Sequence, residues 1–199
     1  MTANAKLTID DIVDQRAYER ERDEFRRHVI ALKKRRRVAV GPIVTLLFEN
    51  RDTIRFQVQE MARAEKLITD QAIQTELDVY NPLIPEPGTL AATMFIELTN
   101  QDDLERWLPA LVGIERAVRL RIGTHDIVDA TVDVDHDKQL TRDTITASVH
   151  YLHFALTPDQ VERFADATEV RLEIDLPAYR EGAYLDEPTR TELVADLNG

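Results

Sequence analysis

The sequence predicts an α+β protein with a mainly antiparallel sheet, a long N-terminal helix, a β-hairpin and several short packing helices. Three observations carry this expectation. Residues 14–36 contain neither Gly nor Pro and set Tyr18, Phe25, Val29 and Leu32 on one helical stripe. Later stretches such as 144–156 and 170–174 alternate with a period of two, as strands do. Between such strands stand helix starts with recognisable chemistry: Asn100 before Asp102-Asp103, and Thr157 before Pro158. At 199 residues the chain suits a single domain over 1–199, or two tightly packed lobes at 1–88 and 89–199.

Taken in order, Ile9-Asp10-Asp11 reads as a helix start, its carboxylates suited to the positive end of the helix dipole. The apolar stripe of the long helix is thin where Glu21 and Arg22 stand, so the helix is expected to cross the surface or meet a second subunit. It ends in Lys33-Lys34-Arg35-Arg36-Arg37, which offsets the negative end of the dipole and is expected to be solvated. After the Gly41-Pro42 break, apolar segments 43–48 and 53–59 flank Asn50-Arg51-Asp52, a hairpin signature. Within 53–59, Ile54, Phe56 and Val58 alternate with Arg55, Gln57 and Gln59, one apolar face against one polar face.

Helices are expected at 60–66 and 70–80, the second capped by Thr69 or Asp70. Pro82, Pro85 and Pro87 exclude helix and central strand from 80–88, and Leu83 and Ile84 imply that this connector is packed down. Residues 90–98 read as a buried strand, followed by a helix from Thr99 or Asn100 to 111 that Gly113 stops. Strands at 117–122 and 127–134 flank Gly123-Thr124-His125-Asp126, and Asp133 to Asp137 form an acidic loop. The strand 144–156, a helix over 159–166 and a strand over 168–174 follow. Asp186-Glu187-Pro188 opens the last helix. Strand, helix and strand thus recur twice, at 90–122 and 144–174, without any residue-level repeat.

Charge and composition exclude several classes. The net charge of −12 divides into +4 over residues 1–37 and −16 over the remainder. A basic patch on an acidic body argues against a nucleic-acid partner, because the far field repels phosphate. No run approaches the roughly 20 apolar residues of a membrane helix, and the start lacks a signal-peptide pattern. The absence of Cys removes disulfides, thiolate metal sites, Cys nucleophiles and Cys-ligated iron–sulfur clusters, and fits a cytoplasmic protein.

Motifs of specific chemistry are absent: no Gly-rich phosphate loop, no Gly-x-Ser-x-Gly, no His-Glu-x-x-His. Glu24 and His28 share a helix face but supply only two ligands. His150 and His153 fall on opposite faces of a regular strand. Asp133, Asp135 and Asp137 alternate like a calcium loop without its Gly or its closing Glu. Neither a metal nor a cofactor is therefore expected. The candidate ligand or partner surface is the polar face of the hairpin with the rigid connector beside it: Arg51, Arg55, Gln57, Gln59, Glu60, Tyr80 and Asn81.

Three stretches carry a family resemblance. They are Ala31-Leu32-Lys33-Lys34-Arg35-Arg36-Arg37-Val38 leading to Gly41-Pro42, the segment 48–61 from Phe48-Glu49-Asn50 to Gln59-Glu60-Met61, and the segment 76–88 around Tyr80-Asn81-Pro82. Together they resemble a bacterial family catalogued as a domain of unknown function, and the likeness runs on through 146–154 and Pro177-Ala178-Tyr179-Arg180. Genes of that family lie near those for rubrerythrin-like proteins and iron–sulfur oxidoreductases. The resemblance therefore implies a role beside a redox or oxidative-stress system, and it implies no catalytic residues. The expectation is a non-catalytic accessory or binding protein with a protein partner in such a system, with no membrane contact and with homo-oligomerisation an option. The alternative is a small-ligand binder or enzyme whose pocket lies between 43–59 and the connector 80–88.

Overall fold

The long charged helix forms as α1, Gln15–Arg36, and Asp14 caps it by accepting a hydrogen bond from the Ala17 amide. In this computed structural model, which describes residues 5–132 and 144–199, the chain leaves α1 directly into β1, Arg37–Val40. A tight turn at Gly41 returns it as β2, Val44–Phe48. Gly41 has φ +73°, and a Cβ there would stand 2.5 Å from the Tyr179 hydroxyl, which donates to the Val40 carbonyl at 2.6 Å. Glycine is required at that turn both for its dihedral and for the room it leaves.

A β-hairpin is present, but between 37–40 and 44–48, not between 43–48 and 53–59. Residues 51–65 form α2, Arg51–Glu65. Asn50 is not a turn residue but an N-cap: its side chain accepts from the Thr53 amide, and the Thr53 hydroxyl accepts from the Asn50 amide. The alternation of 53–59 is real but stops there, whereas Ile54, Val58 and Ala62 are buried at four-residue steps. The helical stripe is longer than the strand-like one and wins. The expected helix at 60–66 is simply the last turn of α2.

Then come α3, Asp70–Tyr80, capped by Thr69, and a single turn at Asn81–Leu83 that packs Leu83 and Ile84 into the interior. The remaining elements are β3 (Thr89–Ile96), α4 (Gln101–Ala110), β4 (Val118–Ile122), β5 (Asp126–Asp129), β6 (Thr131–Val132), β7 (Val149–Ala155), α5 (Pro158–Asp166), β8 (Val170–Leu176), β9 (Tyr179–Tyr184) and α6 (Glu187–Asn198). The expected strand 127–134 divides into β5 and β6, which join different sheets, and 144–156 is strand only from Val149. The acidic residues 133–137 lie outside the described residues.

Two antiparallel sheets result. The first runs β1-β2-β3-β7-β6 and the second β5-β4-β8-β9. The first sheet draws strands from both sides of residue 88. The twice-repeated strand–helix–strand pattern has a spatial counterpart. Units β3-α4-β4 and β7-α5-β8 each begin in the first sheet and end in the second, with β3 beside β7 and β4 beside β8. Leu46, Phe48, Met94 and Phe154 of the first sheet share one core with Leu120, Leu172 and Ile174 of the second. The first sheet's other face is covered by α1, α2 and the connector, whose core joins Ile54, Val58, Leu77, Leu83 and Ile84. No helix among the described residues is long and apolar enough to cross a membrane.

The basic run is not a uniformly solvated helix end. Arg36 is 1% exposed. It donates to the Phe48 and Glu49 carbonyls at 3.0 and 3.2 Å, pairs with Glu192 at 3.2 Å and pairs closely with Asp196. Arg35 also reaches Glu192, at 2.7 Å, and Arg37 reaches Glu97 at 3.4 Å. The run thus fastens α1 to α6 and the sheet, while Lys33 faces elsewhere.

Candidate functional site

Five of the seven sequence-selected residues hold the N-terminal segment and α1 against α2 and the connector. Arg51 donates to the Ala5 carbonyl and pairs with Asp11; Arg55 donates to the Asp11 carbonyl at 2.9 Å and pairs with Glu21. Gln59 is not on a solvated strand face; it is 1% exposed, its amide bracketing the Val13 backbone by accepting from its N–H and donating to its C=O. Asn81 brackets Leu7 in the same two-bond manner, at 2.8 and 2.9 Å. Glu60 accepts from the Tyr18 hydroxyl at 2.7 Å and from Arg22 in bidentate fashion. Arg22, then Tyr18, hold the Glu60 carboxyl below its ordinary range, and burial together with Glu60 pushes the Tyr18 hydroxyl up.

The other two, Gln57 and Tyr80, line a cavity of about 240 Å³. Its floor is the outer face of the first sheet, with Leu47 and Glu49 at the end of β2, Thr93 and Phe95 on β3, and Val149 and Tyr151 on β7. Its walls are Lys33 from α1, Thr53, Ile54 and Gln57 from α2, and Tyr80 and Leu83 where α3 meets the connector. The cavity borders both 43–59 and 80–88, with a helix where the sequence suggested a strand. Alternation puts these sheet residues together: Leu47 opposes Thr93, and Thr93 opposes Tyr151, in direct register.

Glu49 dominates the chemistry. It is 6% exposed, and Thr93 donates to its Oε1 at 2.7 Å. No described cation pairs with it, since the nearby Arg36 guanidinium binds Glu49 through the backbone carbonyl and spends its charge on Glu192 and Asp196. Tyr151, across β3, has its hydroxyl pushed up by burial and by Tyr80 and Glu49. Lys33 is half-buried at the cavity, its Nζ 5.8 Å from the Phe56 ring centre.

A family model described as "Protein of unknown function (DUF3501)" matches residues 6–197. The chain belongs to this family. A crystal structure described as a novel protein of unknown function from Burkholderia pseudomallei K96243 has the same fold as this DUF3501 chain. Its TM-score is 0.89 at 37% sequence identity, covering 97% of this chain and 100% of that one. No curated protein matches by sequence.

Elsewhere the DUF3501 fold offers less. Among the described residues no group of three or more His, Cys, Asp or Glu stands together to hold a metal ion. His28 meets Asp52 at 3.0 Å on the surface, and the buried His150 contacts the Thr146 hydroxyl and the Ala147 carbonyl. An open depression on the second sheet collects Arg119, Arg121, Arg171 and Arg180. Glu173 already pairs with the first three, at 2.9, 2.9 and 3.6 Å, and Asp175 pairs with Arg180 at 3.3 Å. Each of those cations has a carboxylate partner, whereas no described cation pairs with Glu49. Sequence reading missed Thr93 and Tyr151 because they come from β3 and β7, far from α2 in sequence, and their only local signal is a polar residue in an otherwise apolar run.

Proposed function

We propose that this chain is a small-ligand-binding protein whose site is the cavity between the first sheet and α2 with the connector. The observation supporting the reading is Glu49: a carboxylate almost withdrawn from water, satisfied by one neutral hydroxyl and lining an open space. Burying a charge without an ionic partner is costly, and a ligand donating to it removes that cost. The mixture of apolar floor and a few convergent polar groups is that of a small-molecule site. Such a role is compatible with an accessory protein in a redox or oxidative-stress system, as the resemblance implies, with the ligand as its input.

The test is a thermal-shift screen of small polar compounds of every charge type against the wild type and Gln57→Trp, which fills the cavity from α2. At least one chemical class should raise the wild-type melting temperature and leave the variant unmoved. Compounds that stabilise both proteins equally, or no stabilising compound of any class, would contradict the reading.

A further inference from the structure

We infer that the ligand is a small zwitterion, one ammonium and one carboxylate on a short apolar body, of the amino-acid type. This rests on the proposed cavity and adds its charge code. Two residues of opposite charge line the same space, Glu49 on the floor and Lys33 on the wall. Neither has an ion-pair partner among the described residues, and they do not pair with each other. Opposite charges so close to one cavity normally meet, because each lowers the other's desolvation cost. Here the fold holds them apart: Glu49, just past the end of β2, is pinned by Thr93, and the Lys33 Nζ lies over the Phe56 ring, 5.8 Å from its centre.

A ligand bridging them must carry the complementary ends. Its ammonium donates to Glu49, with the Tyr80 and Tyr151 rings lining the same space. Its carboxylate accepts from Lys33, with the Gln57 side-chain amide alongside as a further donor. A simple amine would leave Lys33 uncompensated and add a like charge, and a simple carboxylate would do the same to Glu49. The cavity is therefore selective by charge pattern.

Calorimetric titration of the full chain tests this with two zwitterions, L-leucine and 5-aminopentanoate, and two single-charge analogues, 3-methylbutylamine and 4-methylpentanoate. At least one zwitterion should bind about tenfold or more tighter than both analogues, the scale of losing one desolvated charge contact. Lys33→Gln and Glu49→Gln should each reduce zwitterion affinity by a similar factor. Lys33→Gln, at a half-buried position, keeps the test decisive if Glu49→Gln fails to fold. Equal or tighter binding of a single-charge analogue overturns the zwitterion while leaving ligand binding intact. Heat-silent titrations for all four, with no compound stabilising the protein in the thermal screen, overturn both.

Discussion

Replacing Arg36 by Met isolates the fastening role of the basic run. The guanidinium is 1% exposed and serves two backbone carbonyls, Phe48 and Glu49, and two carboxylates, Glu192 and Asp196. Met fills much of the volume, so the loss is electrostatic and not a cavity. Removing one partner of a buried ion pair costs about 3–5 kcal/mol, because the remaining charge stays buried. The two carbonyls losing a donor push the value toward the upper end. At roughly 2–4 °C per kcal/mol for a chain of this size, the melting temperature should fall by about 6–20 °C at neutral pH. Urea denaturation should show the same loss with an unchanged slope. Arg36→Met combined with Asp196→Leu should recover most of it, since the stranded carboxylate is gone. A single-variant loss below about 1 kcal/mol, the scale of an exposed ion pair, would refute the burial argument and restore the solvated helix end.

Three further outcomes follow from particular contacts. Gln59→Thr should lower stability by about 1–3 kcal/mol in thermal melts, because the Val13 amide and carbonyl lose their bracketing partner inside the protein; an unchanged melt would return Gln59 to the surface. Gly182→Ala places a Cβ 2.4 Å from Arg171 Nη2, the far end of a flexible side chain. The guanidinium should swing aside at a cost below about 1.5 kcal/mol, and a larger loss would mean that Arg171 cannot move. In pH titrations two carboxyls act oppositely. Burial pushes Asp196, against the pull of Arg36, from its ordinary 3.8 up to about 6, so its contribution is present below pH 4 and lost as pH rises toward 6. Arg121, then Arg119, hold Glu173 below its ordinary 4.5, so its contribution is present above that value and lost in acid. The stability difference between Asp196→Asn and wild type should therefore move in the variant's favour as pH rises from 4 to 7, on top of a pH-independent cost of stranding Arg36, and Glu173→Gln should have a flatter acid limb; a pH-independent difference in either case would contradict the assignment.

Local chemistry was legible where it is complete within a few residues. The N-caps Asn100, Thr157 and Asp186 set their helices as the sequence indicates, each accepting from the amide three residues on. Strand β3 follows from its apolar run and β4, β7 and β8 from their alternation, though β7 begins later than that alternation suggests. Segment 53–59 was misread because Asn50 serves turns and caps equally well, and its partner is Thr53 instead of the usual Glu or Gln. Strand β9 was missed because Tyr179 alone among its residues is buried and the rest is polar edge. Arg36 could not be read as buried, since its partners Glu192 and Asp196 lie more than 150 residues away in sequence. The site was half visible: Gln57 and Tyr80 were singled out, while Lys33 was grouped with its basic neighbours.

The most direct measurement of the central claim is an amide NMR titration of the labelled protein with the tightest-binding zwitterion. Perturbations should cluster at Glu49, Gln57, Thr93 and Tyr151, which share the cavity though they come from the end of β2, α2, β3 and β7. They should vanish in Lys33→Gln at the same ligand concentration. Perturbations centred instead on Arg119, Arg121 and Arg171, or persisting undiminished in Lys33→Gln, would contradict the assignment of this cavity as the ligand site.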